Sequence, residues 1–234
     1  MNNLTSTISG YLTTLRVSSG SMEAIKWIAL ASMTIDHFNR FFWGTHSYPA
    51  YCAGRLAMPL FAFIFAYNLA NPNAYSEGLH ARVIKRLLFF GVLATPAYMA
   101  MRHLPILFPL NIMFMLAAAT GILYWLETND PFHRIAAFCI FLISGLLVEY
   151  LWAGLLFCLT SWLFCRRPSP LNLLLWLASF VPLCYLNENS WALLTLLPLF
   201  IATQVNLKLP RIPYFFYFYY PLHLTVFYML SRWI

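Results

Sequence analysis

Charged side chains are scarce in this sequence. Only 9% of its 234 residues are charged and 62% are hydrophobic, whereas an ordinary soluble domain is about 25% charged. The chain has 14 basic and 7 acidic residues with which to cover a water-exposed surface, and its mean hydropathy is +0.70. That is too little charge for a soluble enzyme, a DNA-binding domain or a disordered linker. The composition leaves a membrane protein.

The sequence also lacks the patterns of a disulfide framework, a metal site or a nucleic-acid surface. Its five cysteines form no Cys-x-x-Cys pair, and its loop histidines show no metal-ligand spacing. The net charge of +7 comes from basic residues at the ends of apolar runs, and no basic run is longer than Arg166-Arg167. Such placement is typical of topology determinants. We therefore predict no bound metal and no nucleic-acid partner.

Long apolar runs take up most of the chain. The longest covers residues 135–165, where Glu149 is the only charged residue. A spanning helix needs about 20 mostly apolar residues, whereas a barrel strand alternates polar and apolar residues. The runs predict an all-α, polytopic transmembrane helical bundle of about nine spans. We place these spans at residues 26–43, 51–70, 83–101, 109–126, 135–151, 152–165, 171–186, 191–205 and 214–233.

The run at residues 135–165 decides the number of spans. As one helix it would be about 46 Å long, well beyond a hydrocarbon core of about 30 Å. We therefore predict two helices with a tight turn near Gly154. With that division and a cytoplasmic N-terminus, ten basic residues fall on the inner side and two on the outer side. Basic residues are expected to gather on the cytoplasmic side, so this topology is favoured.

The first 21 residues differ from the rest of the chain. They are polar, but apolar residues from Leu4 to Leu15 recur at helical spacing, which predicts a short amphipathic helix lying on the membrane. Ser21 is the predicted cap of the first span. Residues 22–234 form a single predicted transmembrane domain.

The first span carries polar residues that are costly to place in a bilayer. A charged group there costs about 2.5–3.5 kcal/mol, so each one is a candidate functional residue. Asp36 and Arg40 are four residues apart, and His37 and Arg40 are three apart, so all three share one helical face. The face suits proton transfer beside an anionic group. The alternative is an Asp36–Arg40 ion pair that only holds helices together.

Further candidates lie in other predicted spans. Arg55, at the outer end of the second span, is expected near Arg40, and the two guanidinium groups leave positive charge to hold an anion. The alternative for Arg55 is snorkelling to the membrane interface. His223, in the last span, is expected to face His37 as a second titratable group or to serve only in packing. Weaker candidates toward the same outer half are Asn111, Glu149 and Tyr150.

Four short segments of the chain resemble the TraX family, the membrane N-acetylases of conjugative pilin. They are IDHFN at residues 35–39, AGRLAMPLFA at 53–62, NIMF at 111–114 and FYYPLHL at 218–224. The order and spacing extend from residue 24 to near the end of the chain. Met58 departs from the family, which more often has phenylalanine there.

The resemblance implies acetyl transfer from acetyl-CoA to the N-terminal amine of a pilin subunit, in a bacterial inner membrane. On that basis His37 is the expected general base and Asp36 the group that orients it. Arg55 and Arg40, with Asn111, are expected to hold acetyl-CoA or stabilise the oxyanion. His223 assists. Two alternatives stay open: an acyltransferase acting on a glycan, and a non-enzymatic carrier or assembly scaffold.

Overall fold

A computed structural model describes residues 17–128 and 130–233 of the chain. The predicted amphipathic helix falls almost wholly before residue 17, outside the described residues. Those residues form α-helices and one 3₁₀ helix: α1 (Ser19–Phe42), α2 (Tyr48–Gly54), α3 (Ala57–Leu69), α4 (Leu79–Met101), α5 (Ile112–Leu126), α6 (Pro131–Leu147), α7 (Leu151–Arg166), α8 (Pro170–Ala178), α9 (Phe180–Asn187), the 3₁₀ helix (Trp191–Thr195), α10 (Leu196–Gln204) and α11 (Phe215–Ser231).

The first helix begins slightly earlier than predicted. Ser18, not Ser21, is its N-cap: the Ser18 backbone is extended, and its Oγ accepts a hydrogen bond from the backbone N of Ser21 at 3.1 Å. The Ser21 hydroxyl instead donates to the carbonyl oxygen of Val205 at 2.5 Å. This bond ties the start of α1 to the segment that follows α10.

The long apolar run is divided into two helices, as its length predicts. The break lies at residues 148–150, a few residues before the predicted turn at Gly154. Tyr150 adopts a left-handed conformation with φ 64°, and the backbone of Glu149 donates to the carbonyl oxygen of Leu110 at 2.9 Å. A Cβ on Gly145 would overlap the indole of Trp152. The two helices therefore pack side by side, with the turn held against the chain before α5.

Three parts of the helical chain are long and apolar enough to cross a membrane: Tyr48–Leu69, Leu79–Met101 and Pro170–Asn187. Four shorter apolar helices accompany them, at Ile112–Leu126, Pro131–Leu147, Leu151–Arg166 and Trp191–Gln204. Helices α1 and α11 fall outside both groups, and they carry the histidines of the predicted site. Each predicted span corresponds to one helix or to two consecutive helices.

The outward faces of these helices are apolar. On α4, Phe89, Val92 and Leu93 are more than half exposed, while Leu87 and Ala94 on the other face are buried. Exposed apolar surface of this kind is unfavourable in water and is expected of a helix that faces lipid. The structure is therefore that of a membrane protein.

Helix packing brings together α1 and α11, the two helices that carry His37 and His223. α1 packs against α2, α3, α10 and α11, while α11 also packs along α4. The chain between α1 and α2 is short, so the end of α1 lies beside the start of the next helices. Asp36 and His37 of α1 therefore lie close to Arg55, which follows α2, and to His223 of α11.

Candidate functional site

Most of the side chains that the sequence singles out meet at a large cavity inside the bundle. Its volume is about 1500 Å³, and it extends along α1 from Lys26 to Arg40, about 21 Å of helix axis. We call its two ends the histidine end and the basic mouth. The histidine end is lined by Asp36, His37, Arg40, Arg55, Arg102 and Glu149, and the basic mouth by Lys26, Arg86, Arg166 and Arg211.

His37 and His223 contact each other directly. Nδ1 of His37 lies 2.7 Å from Nε2 of His223, and the ring planes differ by 3°. His37, on α1, lines the cavity, whereas His223, on α11, is 4% exposed and is not among the lining residues. The structure thus brings the two histidines together as predicted.

The partners of the two rings assign their tautomers. Nδ1 of His223 lies 2.8 Å from the carbonyl oxygen of Tyr219. A carbonyl oxygen only accepts, so this nitrogen carries the proton. Nε2 of the neutral His223 ring is then an acceptor, and Nδ1–H of His37 donates to it. Neutral His37 is left with the lone pair on Nε2, which gives the cavity a basic nitrogen of the kind a general base needs.

Asp36 pairs with Arg55 rather than with Arg40. Oδ1 of Asp36 accepts from Nη2 of Arg55 at 2.8 Å, and the two side chains are 15% and 16% exposed. Arg40 is exposed, and within the described part of the chain it forms no ion pair. The reason is the close approach of Gly54, where a Cβ would overlap the Asp36 side chain. That approach sets the next residue, Arg55, against α1.

The structure also differs from the prediction that Asp36 orients His37. Its carboxylate bonds to Arg55, and the imidazole bonds to His223. Consecutive residues of an α-helix project about 100° apart, so the two side chains meet different neighbours. His223 is therefore the group that orients His37, and Asp36 is the group that positions Arg55.

Arg55 is held by more contacts than the sequence indicates. Its Nη1 donates to Oδ1 of Asn187 at 3.2 Å, and its guanidinium carbon lies 4.6 Å from the centre of the Tyr51 ring. Its Nε is buried and has no hydrogen-bond partner among the described residues. Sequence patterns do not single out Tyr51, in the middle of the short α2, or Asn187, the last residue of α9. A tyrosine among apolar residues and an asparagine at a helix end are too common to be a signal. Among the three guanidinium nitrogens of Arg55, Nε is thus the one without a hydrogen-bond partner in the described residues.

A second ion pair lies at the same end of the cavity. Arg102 and Glu149 form a salt bridge, and Nη1 of Arg102 also donates to the hydroxyl of Tyr98 at 3.0 Å. This pair links the end of α4 to the turn between α6 and α7. Glu149 and Tyr150 both line the cavity, as expected of the outer candidates. From the sequence, Arg102 counts only as one of the two basic residues on the outer side, because its position at a helix end hides its role.

Asn111, predicted to help hold acetyl-CoA, is used within the fold. Its Oδ1 accepts from the backbone N of Met113 at 3.1 Å and so caps α5. Its Nδ2 donates to the carbonyl oxygen of Gly91 at 2.9 Å and lies 3.3 Å from Oγ1 of Thr95. The residue is 1% exposed and is not among those that line the cavity. Its hydrogen bonds join α5 to α4.

Residues 17–128 and 130–233 contain no group of three or more histidine, cysteine, aspartate or glutamate side chains placed to hold a metal ion. The charged and imidazole groups at the histidine end are His37, with His223 bonded behind it, two ion pairs and the exposed Arg40.

Gly54→Ala is expected to lower the free energy of unfolding by about 1–3 kcal/mol, because the new methyl group overlaps the Asp36 side chain. Gly121→Ala is the matched control: its Cβ meets nothing within 4 Å, and alanine favours a helix over glycine by about 0.5–1 kcal/mol. Thermal unfolding of both variants in one detergent measures the difference. An unchanged unfolding temperature for Gly54→Ala would contradict the close contact with Asp36.

Sequence comparison identifies the family. The sequence profile described as TraX protein matches residues 21–231. This chain belongs to the TraX family. A Protein TraX of Escherichia coli is 32% identical over 226 residues, covering 89% of this chain and 86% of that protein. A Protein TraX of Escherichia coli strain K12 is 34% identical over 144 residues, covering 59% of this chain and 54% of that protein. No solved structure matches the chain.

The histidine end lies within the part of the chain that matches the TraX profile. Residues 21–231 include Asp36 and His37 on α1, Arg55 after α2, and His223 on α11. The resemblance inferred from short motifs is thus confirmed as family membership over most of the chain.

Proposed function

We propose that this chain is an integral-membrane acetyltransferase. It moves an acetyl group from acetyl-CoA to the N-terminal amine of a pilin subunit, during formation of a conjugative pilus. The observation that supports this best is the histidine pair at the cavity: Nδ1–H of His37 is bonded to His223, and Nε2 is left free to accept a proton. Membership of the TraX family supports the conjugation context.

The proposed reaction is a direct transfer. The amine nitrogen attacks the thioester carbonyl carbon, and the nitrogen loses a proton to Nε2 of His37. The tetrahedral intermediate then breaks its carbon–sulfur bond, and the thiolate of CoA takes up the proton held by His37. His223 keeps the His37 ring oriented and accepts from its Nδ1–H throughout.

Positive charge at the histidine end suits the oxyanion of this reaction. Arg55 is fixed by Asp36 and retains an unused Nε–H. Arg40 lines the same end without an ion pair in residues 17–128 and 130–233. Donors that are already in place stabilise a developing negative charge without reorganising. In this proposal Arg55 and Arg40 stabilise the oxyanion, and Asp36 holds Arg55 in position.

The proposed topology has nine spans and a cytoplasmic N-terminus in the bacterial inner membrane. It gives most basic residues to the side where α1 begins, which agrees with the positive-inside rule. The basic mouth then faces the cytoplasm, where acetyl-CoA is made. The histidine end lies toward the outer side, where the N-terminus of a membrane-inserted pilin emerges.

His223→Leu is expected to lower the transfer rate about tenfold, because Nδ1–H of His37 loses its acceptor inside the protein. His223→Gln is expected to recover part of that loss, since an amide oxygen accepts a hydrogen bond. Single-turnover acetylation by the two variants in detergent measures the effect. Equal rates for the leucine and glutamine variants would show that His223 acts only through packing.

The overall test uses purified protein in liposomes, labelled acetyl-CoA and a pilin peptide with either a free or a blocked N-terminus. The proposal expects label only on the peptide with the free amine. Label on an added glycan but not on the peptide would favour the glycan alternative. Solute movement that does not depend on acetyl-CoA, with no label transferred, would favour a carrier. No activity of either kind would favour an assembly scaffold.

A further inference from the structure

The basic mouth is a cluster of cations that the proposed chemistry does not use. Its members come from several helices, and two of them contact α11 or the residue just before it. Nζ of Lys26 on α1 lies 5.4 Å from the ring centre of Phe216 on α11. Two residues earlier, the hydroxyl of Tyr214 accepts from Nη2 of Arg86 on α4 at 3.0 Å. Arg211 lies in the chain just before Tyr214. These side chains therefore converge where the cavity opens.

The charges of the basic mouth are only partly balanced. Lys26 pairs with Glu23 at 2.8 Å, and Arg166 lies 3.8 Å from Glu127. In the part of the chain that the structure describes, neither Arg86 nor Arg211 has a carboxylate partner. An anion that entered the mouth would meet two uncompensated guanidinium groups.

Arg86 is also held in place before any ligand arrives. Its guanidinium carbon lies 4.6 Å from the ring centre of Tyr214, which also receives its hydrogen bond. A planar guanidinium that is already ordered loses little freedom on binding and offers two parallel donors to a phosphate. This is the arrangement expected of a phosphate site rather than of a charge that only marks the membrane side.

The cavity beyond the mouth is long and apolar. Its walls between the two ends include Met33, Val83, Leu87 and Leu116. Lys26 and His37 are eleven residues apart on α1, which corresponds to about 16 Å along the helix axis. A ligand that occupied both ends would need an anionic head and a slim linear arm of about that length. The pantetheine arm of CoA, which carries the thioester at its tip and a diphosphate at its base, has this form.

We propose that the basic mouth binds the diphosphate of a ligand whose linear arm extends through the cavity to His37, with Arg86 and Arg211 as its principal contacts. The assignment of that ligand as CoA rests on the proposed function. The phosphates are then held at the opposite end of the cavity from Arg40 and Arg55. Of the two roles expected of those arginines, holding acetyl-CoA or stabilising the oxyanion, this proposal leaves them the second. A lipid with a diphosphate head offers the same chemistry and is the competing source.

The test measures binding of CoA to the full chain in nanodiscs of uncharged lipid, without any acceptor. Arg86→Ala/Arg211→Ala is expected to weaken CoA binding about a hundredfold, because each lost charge-assisted contact contributes about tenfold. The matched control is Lys85→Ala/Lys208→Ala, which removes two exposed charges that do not line the cavity. It is expected to bind CoA as the unchanged protein does. Pantetheine, which lacks the phosphates, is expected to bind the Arg86→Ala/Arg211→Ala variant and the unchanged protein equally.

Arg86→Lys separates loss of folding from loss of the contact. It keeps the charge but not the paired donors, and is expected to give intermediate CoA affinity at an unchanged unfolding temperature. Equal CoA affinity in the Arg86→Ala/Arg211→Ala and Lys85→Ala/Lys208→Ala variants would overturn the proposal. Binding of farnesyl diphosphate but not CoA would support the diphosphate site and overturn its assignment to CoA.

The binding experiment tests the phosphate site, and the acetylation experiment tests the enzymatic function, so either proposal can be rejected without the other. Suppose that Arg86→Ala/Arg211→Ala loses CoA binding and that the unchanged protein transfers no acetyl group. This result would support CoA binding at the basic mouth and reject the acetyltransferase function. Acetyl transfer by the same variant with an unchanged KM for acetyl-CoA would reject CoA binding at the basic mouth and support the acetyltransferase function.

Discussion

His37→Ala is expected to reduce the single-turnover rate of acetyl transfer by a factor of about 10²–10⁴, the usual contribution of a positioned general base. The physical reason is the free Nε2 lone pair of His37, whose other nitrogen is bonded to His223. No other imidazole lines the cavity in residues 17–128 and 130–233. His223 lies behind His37, on its Nδ1 side, so its ring is farther from the reacting atoms than Nε2 of His37 is. CoA affinity is expected to stay within a few-fold, since the proposed phosphate site lies at the basic mouth.

His46→Ala is the matched control for this variant. His46 is exposed on the loop after α1 and does not line the cavity, so the transfer rate is expected to be unchanged. The rate is measured with labelled acetyl-CoA and a pilin peptide after both variants are shown to be monodisperse in the same detergent. A His37→Ala protein that transfers acetyl groups as fast as His46→Ala would remove His37 from the mechanism.

Asp36→Ala is expected to lower the free energy of unfolding by about 3 kcal/mol, because it leaves the Arg55 guanidinium without its carboxylate in a largely buried position. The same change is expected to slow acetyl transfer about a hundredfold, since a displaced Arg55 no longer meets the oxyanion. Thermal unfolding and single-turnover kinetics on the same preparation measure the two effects.

The double variant Asp36→Ala/Arg55→Ala separates a structural role from a catalytic one. Removing both charges leaves no unpaired ion, so the unfolding temperature is expected to recover most of the loss seen with Asp36→Ala alone. Activity is not expected to recover, because the oxyanion contact is gone. If activity returns together with stability, the ion pair only holds α1 to α2.

The fold was predictable because apolar run lengths constrain membrane helices strongly. A run of 31 residues, 135–165, is too long for one span, and the structure divides it between α6 and α7. The position of the turn was not predictable, because it depends on backbone hydrogen bonds to Leu110 and on the left-handed Tyr150. Boundaries within the other spans, such as the break after Gly54, likewise follow from tertiary contacts.

The residues of the candidate site were more predictable than their pairing. Asp36, His37, Arg55, His223 and Glu149 stand out because polar groups are costly in a bilayer, and the structure places four of them on the cavity with His223 bonded to His37.

The sequence placed Asp36 beside Arg40 because of their spacing along one helix. Such spacing shows which residues share a face of that helix, but not which residues of other helices pack against that face. Gly54 lets Arg55 approach Asp36 more closely than Arg40 does, and that approach depends on how two helices pack. Asn111 was wrongly assigned to ligand binding. A polar residue at a helix start is as well suited to capping as to binding, and here it caps α5.

The most direct test of the central claim is the intact mass of mature pilin from cells that carry this chain, its His37→Ala variant at the same protein level, or neither. The account predicts the added mass of one acetyl group at the pilin N-terminus only with the unchanged chain. Acetylated pilin in cells without the chain, or full acetylation by the His37→Ala variant, would contradict it.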